Sequence, residues 1–120
     1  MGDAFRSWCG PAEEDPDGGF SEERFAAALR GWVPQCRDWV RPEERHALAN
    51  APRRIATELA ARFARDALEE SYIGWDAAQF PARGEHNLAR AQAQLRLAHS
   101  AAAQFGALQN HVDRIFNSAG

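Results

Sequence analysis

The stretch Glu85–Asn117, EHNLARAQAQLRLAHSAAAQFGALQNHVDRIFN, decides the fold. It holds no proline and a single glycine, Gly106. Its apolar residues Leu88, Ala91, Leu95, Ala98, Ala102, Phe105, Val112 and Phe116 step by three and four, with Gln109 out of pattern. That is the spacing of a helix that buries one seam. Ala101, Leu108 and Ile115 form a second line beside it, so the helix is expected to face more than one neighbour. Read as one continuous helix, the stretch spans on the order of 50 Å, longer than a compact bundle of this chain length requires. Its last third, Phe105, Leu108, Val112, Ile115 and Phe116, is therefore expected to overhang the other helices and to need cover from outside the chain.

Upstream, Asp76 to Gly84 reads as a structured connector. Asp76 and Gln79 have capping-box spacing, and Phe80 before Pro81 must be extended. Before it, Asn50 as cap and Pro52 in a first turn open a helix over Ala51–Ile73. Ile55, Leu59, Phe63, Ala67 and Ile73 share one face of that helix, and so do Asp66 and Glu70. Carboxylates on an inner face usually meet an arginine. Arg62, Arg90 and Arg96 are the candidates, and a buried polar pair Asp66–Glu70 would fix the register between this helix and the long one.

A short helix over Pro42–Ala49 follows from Pro42 at its first position with Glu43 and Glu44 behind it. Ser21, followed by Glu22 and Glu23, starts a helix over Ser21–Arg30, with Gly31 as its stop. Residues 1–20 carry Pro11, Pro16, Gly10, Gly18, Gly19 and the acids Glu13, Glu14, Asp15 and Asp17, and read as a flexible acidic arm. No stretch alternates apolar and polar residues as a strand would. The expected fold is all-α: a disordered arm over 1–20, then one domain over 21–120, a small bundle of about four helices with a long C-terminal one.

The chain of 120 residues is 45% hydrophobic and 26% charged, as a single globular domain should be. It has neither a membrane-length apolar run nor a secretory leader pattern, so a cytoplasmic protein without a membrane partner is expected. Cys9 and Cys36 are expected as two free thiols rather than a disulfide. All 14 basic residues are arginine; with the many alanines, this reads as codon bias in a GC-rich genome. Residues 1–23 hold seven acids against Arg6, and 24–120 hold thirteen arginines against ten acids, for a net charge of −3. A balance of this kind does not demand a nucleic-acid partner.

No residue set declares catalysis. Glu43 and His46 make one ExxH, but a carboxylate-bridged metal site needs two such pairs and two further carboxylates. There is no Gly-x-Ser-x-Gly, P-loop or GxGxxG, so no catalytic residue, cofactor or metal is assigned. Arg37, Arg41, Arg45, Arg53, Arg54, Arg62 and Arg65 could line a nucleic-acid backbone. Interleaved with Asp38, Glu43, Glu44 and Glu58, they read better as a solvated face.

Four tryptophans, Trp8, Trp32, Trp39 and Trp75, stand outside the periodic helices, where indoles often anchor protein interfaces. The expected function is thus a non-enzymatic accessory or interaction subunit that self-associates or docks on a larger protein. Its expected interface is Trp75, Phe80, Phe105, Leu108, Val112, Ile115 and Phe116. The alternatives are a small subunit that binds nucleic-acid backbone through the central arginines and, third, a metal-binding or other small helical enzyme.

Overall fold

A computed structural model describes residues 1–10, 19–69 and 83–118. Those residues form six helices and no strand: α1 (Gly2–Cys9), α2 (Glu22–Cys36), α3 (Pro42–Leu48), α4 (Ala51–Glu69), α5 (Arg83–Ala103) and α6 (Phe105–Asn117). The all-α reading holds; the helix count, the N-terminal arm and the single long C-terminal helix need correcting.

The first half of the expected arm is a helix. Phe5 and Cys9, four residues apart, put one face of α1 into the core, where the Phe5 ring tilts against Phe25 with centroids 4.7 Å apart. Phe20 packs on Phe25 from the other side at 5.9 Å. The Ser21 N–H donates to the Cys9 carbonyl at 2.8 Å, so α1 ends where α2 begins. Aromatic burial on both flanks outweighs the polar, glycine-rich composition between them. The acidic cluster Glu13–Asp17 lies outside the described residues.

In α2 the expected start is found and the expected stop is not. Ser21 Oγ accepts from the Arg24 N–H at 3.2 Å, as an N-cap does. The helix then runs through Gly31 and Pro34 to Cys36. Phe25, Leu29, Val33 and Cys36 are all buried in one row at helical spacing. Core burial of Val33 and Cys36, about 1.5–3 kcal/mol for a residue of valine size, offsets the weak propensity of Gly31 and the hydrogen bond lost at Pro34. In α3, Pro42 opens the helix and Glu44 Oε2 accepts from the Arg41 N–H at 2.8 Å, close to expectation.

The long helix breaks at Gln104, two residues before Gly106. The Gln104 N–H turns to Ala101 O at 3.2 Å instead of its fourth-preceding carbonyl, Ser100 O. The Gln104 side-chain amide donates to that carbonyl at 3.3 Å and to Phe20 O at 2.9 Å. A lost main-chain bond is thus replaced by a side chain, and the helix breaks without stranding a carbonyl.

After the corner α6 lies on α2 and α3. Leu108, Val112, Ile115 and Phe116 are buried there within the chain itself, beside Phe25, Leu29 and Val33. The expected overhang does not exist, because beyond the break α2 and α3 cover the bulky third within the chain.

α4 and α5 pair as an antiparallel hairpin with the most extensive helix–helix contact in the molecule. Ala56 near the start of α4 shares the core cluster with Leu97, Ala98 and Ala101 near the end of α5. The molecule measures 54 × 25 × 21 Å and has a radius of gyration of 16.2 Å, against about 14 Å for a compact chain of this length. It is elongated: α6 packs on α2 and α3, and α1 lies between α2 and the α4–α5 hairpin.

Candidate interaction surface

The apolar core ends partway along the hairpin. Its last contributors are Ala56 on α4 and Leu97 on α5. Further out, Ala60 and Phe63 on α4 meet α5 positions that include Ala91 and Ala93 and also His86, Asn87, Arg90 and Gln94, all four of them buried. The Arg90 guanidinium stands over the Phe63 ring, 5.8 Å from its centroid, and donates to Asn87 Oδ1 at 3.2 Å. A polar layer of this kind gives a two-helix contact one register at some cost in stability.

Asp66 sits one turn beyond Phe63 and is half-buried; Glu70 lies outside the described residues. The carboxylate pair therefore has one described member, on the expected inner side of α4. Of the expected seam Ala91 and Ala98 are buried here, but Leu88 and Leu95 are not, and polar residues that carry no apolar periodicity take the inward positions.

The outward-facing row is the notable surface. Leu88 is 49% exposed, Leu95 45% and Phe105 43%, and Ala102 is exposed with them. On α4 the exposed Thr57, Ala61, Ala64 and Leu68 step by four, three and four, and Leu68 is 89% exposed. Both rows therefore have seam spacing without a seam partner.

The two rows share one face. Each row is offset in the same rotational sense from its helix's line of contact, and in an antiparallel pair equal offsets fall on the same side. The opposite side is occupied by the N-terminal segment. There Gly2 comes so close to Ala51 and Ile55 that a Cβ would lie 3.0 Å and 3.2 Å from their side chains, and at Gly10 a Cβ would be 3.1 Å from Leu97. One face of the hairpin is covered by α1 and the other is bare among the described residues.

The remaining expected site residues divide cleanly. Trp75 and Phe80, with all of 70–82, are outside the described residues. Phe105 is on the surface at the α5–α6 corner, whereas Leu108, Val112, Ile115 and Phe116 are core. Of the tryptophans, Trp8 and Trp39 are well exposed and Trp32 packs half-buried against the core.

The central arginines are spread over structural tasks. Arg37 donates to Ser118 O at 2.7 Å and Ile115 O at 3.1 Å, closing the C-terminal end of α6. Arg45 stacks on Phe116 at 4.6 Å, Arg41 pairs with Glu44, Arg53 bonds Asn50 Oδ1 at 2.8 Å, and Arg65 pairs with Glu69 at 3.3 Å. Along the outer side of α4, Arg54, Glu58, Arg62, Arg65 and Glu69 mix the two signs. They form no continuous phosphate track.

A groove of about 710 Å³ lies along α2 and is lined by Glu22, Arg24, Ala26, Arg30 and His111. His111 Nδ1 lies 2.5 Å from the Arg114 guanidinium and its Nε2 lies 2.7 Å from Glu22 Oε1. This contact joins residues 89 apart in sequence and pins α6 to α2. Glu43 and His46 are both exposed on α3, and no group of three His, Cys, Asp or Glu side chains fit to hold a metal occurs among the described residues.

Cys9 and Cys36 are free and buried. Burial pushes the Cys9 thiol up to about 11, against a smaller opposing pull from Arg24. It raises Cys36 as well, against Arg37 and Arg45. Neither is an activated nucleophile.

No helix among the described residues is long and apolar enough to cross a membrane. Compared with known proteins, the chain matches no family model, and no curated protein is significantly similar to it.

Proposed function

We propose that this chain is a non-enzymatic interaction subunit that works through the bare face of the α4–α5 hairpin. One observation carries the reading: two rows of apolar and small residues at seam spacing, Thr57–Ala61–Ala64–Leu68 and Leu88–Leu95–Ala102, lie side by side with nothing described over them. Contiguous exposed apolar surface on a small soluble domain marks contact sites more often than chance. The surface differs from the one expected on the C-terminal helix, whose bulky residues hold the body together. The backbone-binding alternative has no comparable support, since Arg37, Arg41, Arg45, Arg53 and Arg65 are engaged in caps, stacking and local side-chain pairs.

The test is isolation of the tagged full chain from its source cells, beside a Leu88→Glu/Leu95→Glu variant shown to keep its helical content. A bound protein, whether another chain or a second copy, present with the parent and lost with the variant is the expected result. Identical recovery from both would remove the proposal.

A further inference from the structure

We infer that the occupant of the bare face is a second copy of this chain, two hairpins pairing about a two-fold axis parallel to their helices to make an antiparallel four-helix bundle. The inference rests on reading that face as an interaction surface and adds what covers it.

The two rows are complementary to each other in size. The α4 row is small except at its tip (Thr57, Ala61, Ala64), and the α5 row carries the large residues Leu88 and Leu95. A two-fold axis parallel to the helices lays the α5 of each copy across the α4 of the other, so large residues meet small ones at both contacts. An axis perpendicular to the helices would lay α4 on α4 and leucine row on leucine row, giving one loose and one crowded contact.

The rows also match in register. The Arg90–Phe63 contact sets α5 against α4 within one chain. By that register Leu95 is level with the turn from Thr57 to Ala61, and Leu88 with the turn from Ala64 to Leu68. Rotation about an axis parallel to the helices keeps these levels. Each leucine of one copy then enters the gap between two seam residues of the other, as a knob enters a hole.

Size and charge agree with this. α4 and α5 have 19 and 21 residues, so the hairpin face is about 30 Å long and about 20 Å wide. Covering it on both copies removes roughly 1,200 Å² from solvent, the lower end of what specific dimers bury. The flanking charges Arg54, Glu58, Arg62, Arg65 and Glu69 are of both signs, so like-charge repulsion does not oppose pairing. Gln92 and His99 interrupt the α5 row, which keeps the single chain soluble and disfavours shifted pairings.

The experiment is sedimentation equilibrium of the full chain over a concentration series into the hundreds of micromolar, with Ala61→Arg and Leu95→Arg, one on each row, and Arg30→Glu on another face. The parent and Arg30→Glu are expected at twice 13.3 kDa, and the two row variants at the single mass with unchanged helical circular dichroism. Should Ala61→Arg lose helicity, Leu88→Gln/Leu95→Gln removes both knobs without added bulk and must also give the single mass. A parent that stays at the single mass throughout, or a dimer indifferent to both rows, overturns the inference. If the parent is single yet a different protein binds it and is lost with Leu95→Arg, the inference fails while the interaction reading stands.

Discussion

Gln104 holds Phe20 by its main chain: the Gln104 amide donates to the Phe20 carbonyl at 2.9 Å, while the Phe20 N–H donates to Ser100 Oγ at 2.9 Å. Residues 80 and 84 apart in sequence thereby tie the start of α2 to the α5–α6 corner. The break between α5 and α6 is bridged by this tie. Replacing Gln104 by alanine leaves part-buried carbonyls short of a donor and is expected to cost about 1–3 kcal/mol. Thermal unfolding should show it as a midpoint lowered by several degrees. An unchanged midpoint would mean that the corner is held by packing alone.

Arg37 acts at the other end of α6. Its two donors to Ser118 O and Ile115 O satisfy carbonyls that the helix end leaves open. Arg37→Ala is expected to cost about 1–2 kcal/mol, with amide exchange accelerating in the last turn of α6 before anywhere else. Arg37→Lys should recover only part of it, because a single ammonium cannot span both acceptors. Uniform acceleration across the molecule would contradict a local cap.

Core and surface leucines and their neighbours should separate in unfolding by urea. Val112→Ala and Phe116→Ala remove buried side chains from the α2–α6 contact and are expected to cost about 2–5 kcal/mol. Leu95→Ala and Leu68→Ala, measured at concentrations low enough to keep the chain single, should stay within about 0.5 kcal/mol of the parent. The reverse order would restore the C-terminal helix as the exposed contact.

The buried thiols give a pH signature. Unfolded Cys9 loses its proton near 9.0, while in the folded chain the proton is held to about 11. The folded state is thus the more protonated one in that window. Its stability is complete below pH 9.0 and declines as pH rises toward 11. At about 1.4 kcal/mol per unit, the loss is of the order of 3 kcal/mol. Urea midpoints from neutral pH to about pH 10.5 should fall further for the parent than for Cys9→Ala. Parallel curves would show that the thiol is not protected. Alkylating reagents should leave both cysteines unmodified until the protein unfolds.

Much of this fold is legible in the sequence, and the failures share a cause. Ser21, Pro42 and Glu44 announce helix starts because capping is local chemistry, decided within four residues. The ends of α2 and α5 are not local. Gly31 and Pro34 are overruled by the burial of Val33 and Cys36, and the break at Gln104 is paid for by a carbonyl at Phe20. Of the expected α5 seam, Ala91 and Ala98 are buried while Leu88, Leu95 and Ala102 face outward, because the inward face also holds Asn87, Arg90 and Gln94. Periodicity reports where apolar residues lie, not which of two adjacent rows the neighbouring helix covers. The N-terminal helix is hidden for a related reason: α1 buries only Phe5 and Cys9, and the core they enter makes it stable.

The central claim is that contacts to other chains are made by the hairpin face and not by the C-terminal helix. Its most direct measurement places a photo-crosslinking residue at Leu95, at Leu68, or at the exposed Asn110 of α6, and irradiates the full chain in its source cells. Adducts formed from Leu95 and Leu68 but not from Asn110 are the predicted result. Adducts from Asn110 alone, or from none of the three, would contradict it.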